Sequence, residues 1–182
     1  IRGVKIAFPS NGADLKGLLK SAYHDPNPVV IFEHKGLYWS KVPGTLAAKV
    51  KEPDAEYIIP FGKGRYALNA SDEAIEIGES MTVITYGMGV HWALNAAKDY
   101  PGRIEIVDLR TLNPIDEDMI MESVKRNSRC MVLTEEPVNG TFARSIAGLI
   151  SEKCFKHLDA PVMTIGSEVV PAIPLNSVLE QA

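Results

Sequence analysis

Short apolar runs and segments of helical period take turns along almost the whole chain, and this alternation restricts the fold more than any single residue does. Residues 4–8 are a β-prone run closed by Pro9, after which Ser10, Asn11 and Gly12 supply turn and N-cap chemistry. Leu15, Leu18, Leu19 and Ala22 then share one helical face, which Asp25-Pro26-Asn27-Pro28 cannot continue. Residues 29–32 are uniformly apolar, as in a strand buried on both faces. Together these make one βαβ unit leading into Glu33-His34-Lys35.

Between Gly36 and Gly64 the periodicity disappears, and Pro43, Gly44, Pro53, Pro60 and Gly62 mark a linker, placed at residues 41–59. Beyond it the alternation resumes. Residues 65–68 and 74–77 are expected as edge strands, with a firmer strand at 82–86 closed by Gly87. A helix over 90–99, a strand over 104–108 and a helix over 116–126 follow. Asp116 is the N-cap of that helix, and Met119, Ile120, Ser123 and Val124 face inward. A strand at 130–133, a helix at 141–157 with Ile146, Leu149, Ile150 and Lys153 in period, and a strand at 162–165 complete the pattern. Buried strands joined by amphipathic crossovers predict an α/β fold, a parallel sheet covered on both faces in three αβα layers.

Charge and hydropathy exclude two classes of partner. The chain carries 19 Lys and Arg against 23 Asp and Glu, net −4, with no concentration of basic residues fit for a phosphate backbone, so no nucleic-acid partner is expected. Its longest strictly apolar runs are four residues, against the roughly 20 that span a bilayer, so no membrane partner is expected either. Cys130 and Cys154 lack disulfide or zinc spacing and read as buried thiols of a reducing compartment.

The ionisable residues form no complete active site. Gly87-Met88-Gly89 stands between a strand and a helix, where main-chain N–H groups bind phosphate, but Trp92 occupies the place of the third glycine of a dinucleotide fingerprint. Asp108 would be the ribose-binding acid of that reading; otherwise it pairs with Arg110. Glu33, His34 and Lys35 end a buried strand, yet alternation sends His34 to the opposite side from its neighbours. Glu135 and Glu136 read as loop acids or an interface pair, and His91 and His157 have no ligand-spaced partner.

A family resemblance is carried by segments that occur in one order: Gly3-Val4-Lys5-Ile6, Pro9-Ser10, Asp14-x-Lys16-Gly17-Leu18-Leu19, Asp25-x-Asn27-Pro28-Val29, Phe32-Glu33-His34-Lys35-x-Leu37-Tyr38, Thr85-Tyr86-Gly87 and Asp108-Leu109-Arg110-Thr111-Leu112-x-Pro114-x-Asp116. As a set they resemble the beta subunit of the thiamine-diphosphate-dependent decarboxylating component of 2-oxo acid dehydrogenase complexes, of the 2-oxoisovalerate or pyruvate type. The resemblance implies that residues 1–40 are the last part of a pyrimidine-binding domain and residues 60–182 a transketolase C-terminal-like domain. It implies further that the glutamate activating thiamine diphosphate, the residues packing its ring and the active-site histidine lie upstream of Ile1. No catalytic or cofactor-binding residue is therefore expected here, although the parent enzyme uses thiamine diphosphate and Mg.

One site is implied within the chain: a potassium ion at Ala22, Asp25 and Asn27, held by main-chain carbonyls and the Asp carboxylate. The implied partners are an alpha subunit or domain, a second beta chain and the subunit-binding domain of the acyltransferase. The expected parent reaction is oxidative decarboxylation of a branched-chain 2-oxo acid with acyl transfer to lipoyl, to which this fragment contributes assembly. The location is cytoplasmic, or alternatively the mitochondrial matrix. Alternatives are a free-standing nucleotide- or anion-binding module, and the C-terminal part of a transketolase or deoxyxylulose phosphate synthase. The sequence departs from the family pattern at Trp39, where Arg is frequent, in a longer stretch over 69–79, and at Val170-Pro171, where an acidic residue usually precedes the proline.

Overall fold

The computed structural model describes residues 3–168, so the departure at Val170-Pro171 lies outside the described residues. Two sheets organise the chain. The smaller contains β1 (Lys5–Ala7), β2 (Val29–Ile31) and β6 (Thr111–Asn113) in the order β2-β1-β6, with β2 parallel and β6 antiparallel to β1. The larger has the order β3-β5-β4-β7-β8, from β3 (Arg65–Leu68), β4 (Met81–Thr85), β5 (Ile104–Asp108), β7 (Cys130–Pro137) and β8 (Met163–Ser167).

Between β1 and β2 runs α1 (Gly12–His24), which starts where Asn11 Oδ1 accepts the Asp14 N–H at 2.9 Å. Its inward face buries Leu18 against Ala7 and Ile59. Ile59 belongs to the aperiodic stretch expected as a linker. That stretch lies along α1: Ile59 N–H donates to Gly17 O at 3.3 Å and Lys16 Nζ to Pro53 O at 2.8 Å. Gly17 permits the approach, since a Cβ there would meet Ile59 Cγ1 at 2.8 Å.

In the larger sheet β5, β4, β7 and β8 are parallel, and β3 closes one edge antiparallel to β5. Both faces are covered. Val83 and Ile106 point to α3 (Met88–Ala96), whereas Ile84, Val107 and Val132 point to α4 (Glu117–Asn127) and α5 (Phe142–Cys154). Side chains of this size contribute about 1.5–3 kcal/mol each when fully buried. This is the three-layer α/β arrangement that the alternation predicts.

Asp116 caps α4 as expected, accepting the Met119 N–H at 3.3 Å, and Ile120, Ser123 and Val124 are buried. On α5, Ile146 and Ile150 are buried, but Lys153 is exposed and pairs with Glu117 of α4. One expected strand is a helix. Residues 74–77 fall in and just after α2 (Asp72–Glu76), because Ser71 accepts the Ala74 N–H at 3.2 Å and Asp72 and Glu73 favour a first helical turn. β6 was not expected: three residues beside Pro114 carry too little pattern, and their pairing is set by β1, over a hundred positions earlier.

Candidate functional site

The carboxyl ends of β1 and β2 and the start of α1 meet the ends of β5 and β7, and most of the ionisable residues singled out in the sequence collect there. At the centre is a buried network. Asp14, in the first turn of α1, accepts from Arg110 Nη2 at 2.8 Å and lies 3.1 Å from Arg65 Nε. Asp108, at the end of β5, accepts from Arg65 Nε at 3.2 Å, from Ser10 Oγ at 2.5 Å and from its neighbour's main-chain N–H, that of Arg110, at 3.2 Å. Asp108 is wholly buried, and burial pushes its carboxyl above the usual value despite Arg65 and Ser10.

The expected pairing of Asp108 with Arg110 is therefore corrected. Arg110 has φ 58°, a left-handed conformation, which lets its N–H reach back to Asp108 while its guanidinium crosses to Asp14. Arg65, from the antiparallel edge strand, takes the side-chain partnership instead. Sequence reasoning missed Ser10, Asp14 and Arg65 as members of this network. Asp14 three residues after the Asn11 cap was the available signal, but an acid in a first helical turn ordinarily faces solvent.

Gly87 opens α3, as the phosphate reading required. Its φ is +55°, and a Cβ there would meet Phe8 Cε2 at 2.8 Å. The Phe8 ring fills the space before this turn, packing on Tyr86 at a centroid distance of 5.8 Å, so close packing accounts for the glycine. His91 of α3 is buried and its Nε2 donates to Ser10 O at 2.7 Å, which ties α3 to the loop after β1.

Of Glu33, His34, Glu135 and Glu136, only His34 and Glu135 bond to each other. Glu33 accepts from Tyr38 Oη, while His34 Nε2 meets Glu135 Oε1 at 2.9 Å and His34 Nδ1 accepts the Gly36 N–H at 3.0 Å. These bonds assign the ring proton to Nε2. Glu136 Oε1 accepts from Tyr86 Oη at 3.2 Å and from the Phe142 N–H at 3.2 Å, capping α5. Glu135 and Glu136 thus bind within the chain. Burial pushes the Tyr86 phenol up to about 12.

At the far end of α1 the structure brings Ala22, Asp25 and Asn27 together. Asp25 N–H donates to Ala22 O at 3.3 Å, and Asp25 Oδ1 accepts from Asn27 N at 2.9 Å and Asn27 Nδ2 at 3.0 Å. Asp25 Oδ2 pairs with Lys5, and these contacts, Lys5 foremost, hold its carboxyl below the usual range. Among the described residues no three His, Cys, Asp or Glu side chains are grouped as for a metal ion.

A cleft of about 350 Å³ opens beside the network, between the start of α1 and residues 33–40 and 48–50. It holds the ends of β1 and β2, where α/β sheets receive ligands. Its lining is mainly apolar, and Asn11, His34 and Tyr38 are already engaged within the chain.

Comparison with known proteins agrees with this architecture. Residues 73–182 match the family described as transketolase, C-terminal domain. The chain is 36% identical to the 2-oxoisovalerate dehydrogenase subunit beta of Bacillus subtilis (strain 168), covering 98% of this chain and 51% of that protein. It is 33% identical to the pyruvate dehydrogenase E1 component subunit beta of Rhizobium meliloti (strain 1021), covering 100% of this chain and 36% of that one. A solved structure, "Split gene transketolase, inactive beta4 tetramer", superposes with a TM-score of 0.71 at 21% identity over 98% of this chain and 52% of that one, which shows the fold. The chain spans about half, or less, of the length of these relatives. It belongs to the transketolase C-terminal domain family, and nearly throughout its length it is similar to the beta subunits of pyruvate and 2-oxoisovalerate dehydrogenases.

Proposed function

We propose that this chain is the C-terminal part of the beta subunit of a 2-oxo acid dehydrogenase decarboxylating component, of branched-chain type, and that it serves assembly rather than bond making. The observation carrying this reading is the commitment of its ionisable groups. Glu33 bonds to Tyr38, His34 to Glu135 and Glu136 to Tyr86, so that among the described residues the ionisable groups beside the cleft are held by partners within the chain. The parent would decarboxylate a 2-oxo acid and pass the acyl group to lipoyl. Thiamine diphosphate supplies the carbanion-stabilising chemistry in such a reaction. The residues described here do not fit that cofactor or its Mg: the cleft is mainly apolar and no acidic metal cluster accompanies it.

At the end of α1 the proposed ion is potassium, at Ala22, Asp25 and Asn27. In this reading the ligands are main-chain carbonyls and the Asp25 carboxylate, which in this structure is shared with Lys5 and Asn27, at the negative end of the helix. Partners in this reading are an alpha subunit, a second beta chain and the acyltransferase's subunit-binding domain. The compartment is reducing, cytoplasm or mitochondrial matrix, consistent with two buried free thiols.

Isothermal titration of the isolated chain with thiamine diphosphate and Mg tests the proposal. No heat of binding is expected at cofactor concentrations up to the millimolar range. Micromolar binding would sink the assembly reading.

A further inference from the structure

The His34 ring is held at both nitrogens. Its Nε2 lies 2.9 Å from Glu135 Oε1, and its Nδ1 accepts the Gly36 N–H at 3.0 Å. The second bond has the span of an Asx turn, a side-chain acceptor taking the N–H two residues on, and with Leu37 N–H donating to His34 O at 3.0 Å it opens the turn over residues 35–40. Gly36 lies so close to the ring that a Cβ there would meet His34 Cε1 at 2.9 Å. The turn is strained. Trp39 and Ser40 both have positive φ, 60° and 51°, a conformation that residues other than glycine keep only where their surroundings enforce it. The other partner of the ring stands on the larger sheet: Leu133 pairs with Ile165 and Pro137 with Ser167, so β7 bulges between these points, and Glu135 lies in the bulge.

We infer that His34 is a proton-operated latch: neutral, it holds the turn over residues 35–40 closed, and protonated, it releases that turn while staying paired with Glu135. An imidazolium carries a proton on both nitrogens. Nδ1 then becomes a donor facing the Gly36 N–H, and the bond that opens the turn becomes a contact between two donors. The Nε2 bond changes the other way, because a hydrogen bond between an imidazolium and a carboxylate is stronger than one from a neutral ring. The ring therefore stays on β7 and the turn gives way. The charged groups near the ring are Glu135 of β7, its chain neighbours Glu33 and Lys35, and Lys49, which lines the same cleft; among the described residues Glu135 alone pairs with it. Leu37, Tyr38, Trp39 and Ser40 form one wall of the 350 Å³ cleft, so release of the turn reshapes that cleft. The latch does not depend on the assembly reading: a chain that bound thiamine diphosphate would overturn that reading and leave this one standing.

The test is backbone NMR of the isotope-labelled full chain, titrated from pH 8 to pH 5, the span in which histidines ordinarily change charge. The Cα chemical shifts of Trp39 and Ser40 report φ and ψ, so they separate a turn that opens from one that merely senses a nearby charge. At pH 8 both should have left-handed values, and on acidification both should move to coil values while the signals of β4 and β5 stay in place. His34→Asn should keep the left-handed values throughout, since Asn Oδ1 accepts the same N–H and does not titrate. His34→Ala should show coil values already at pH 8; should it misfold, His34→Asn carries the test. Glu135→Gln should leave the turn closed at pH 8 and require about threefold more protons to open it, as for a partly exposed ion pair. Four results would overturn the inference: coil values in wild type at pH 8; left-handed values in wild type that persist at pH 5; a transition that survives in His34→Asn; or a turn that stays closed in a folded His34→Ala.

Discussion

Asp14→Asn and Asp108→Asn remove the same charge from the same buried network, and the structure predicts that the first costs about twice as much as the second. Among the described residues Asp14 is the only carboxylate bonded to the Arg110 guanidinium, which is 15% exposed, and it also lies against Arg65. Its loss leaves a buried arginine without a counter-charge, a change that typically costs 3–5 kcal/mol. Arg65 is 32% exposed and can turn to water, so the lower part of that range, about 3 kcal/mol, is expected. Asp108→Asn is milder: Arg65 keeps Asp14, Asn Oδ1 still accepts the Arg110 N–H, and the desolvated charge is gone, so about 1–2 kcal/mol is expected. At roughly 2–4 °C per kcal/mol for a chain of this size, Asp14→Asn should melt about 10 °C below wild type and Asp108→Asn about 4 °C below. Urea titration at pH 7 checks the free energies. Acidification adds a second check through linkage. Because burial raises the folded value of Asp108 above 3.8, the native state binds its proton first, so wild type gains stability from this group as pH falls from neutral. The Asn variant lacks the gain, and its deficit should widen between pH 7 and pH 4. Equal costs for the two substitutions, or a deficit that shrinks on acidification, would refute the reasoning.

Three further outcomes are expected. Glu105 of β5 is buried against the last turns of α4, accepting from Ser123 Oγ at 2.6 Å, Arg126 Nη2 at 2.6 Å and Asn127 Nδ2 at 3.0 Å; Glu105→Ala should cost about 3 kcal/mol in urea unfolding and Glu105→Gln about half of that. Gly87→Ala should cost about 2 kcal/mol or more from positive φ and the Phe8 contact, and adding Phe8→Leu should recover only the contact part. Burial pushes the Cys130 thiol up to about 12 and Cys154 is also raised, so neither should react with a chromogenic disulfide at pH 8 until the chain unfolds.

The elements with the strongest periodicity were legible in the sequence because the sheet buries them on both faces. The residues of β4 read as a strand since every position is apolar or a threonine, those of β5 since Ile104, Ile106 and Val107 are β-branched, and α4 read correctly down to its cap because Asp116 precedes a clean inward face. Failures fell where local pattern was short or where the decisive contact was remote. Residues 74–77 alternate like an edge strand, but the cap at Ser71 decides for helix. Residues 41–59 lack periodicity because they follow the surface of α1 instead of forming an element. Ile59 nonetheless buries itself against Leu18, which a short apolar run ended by Pro60 does not announce.

Among the charged residues the same distinction separates what was read from what was missed. Strand alternation predicts that Glu33 and His34 diverge; both lie past the end of β2 and border one cleft, but they bond to different partners, Tyr38 and Glu135. The partnership of Asp14 with Arg110 spans 96 positions and requires β6 to join β1, a pairing whose register no local pattern reveals. That pairing also bears on the start of α1. Phe8 N–H donates to Arg110 O at 2.9 Å while Arg110 holds Asp14, so the loop carrying Ser10 and the first turn of α1 are fixed to the larger sheet from both sides. Lys16 and Gly17 tie the helix to Pro53 and Ile59. The start of α1 is therefore held from both sides by contacts between residues far apart in the sequence.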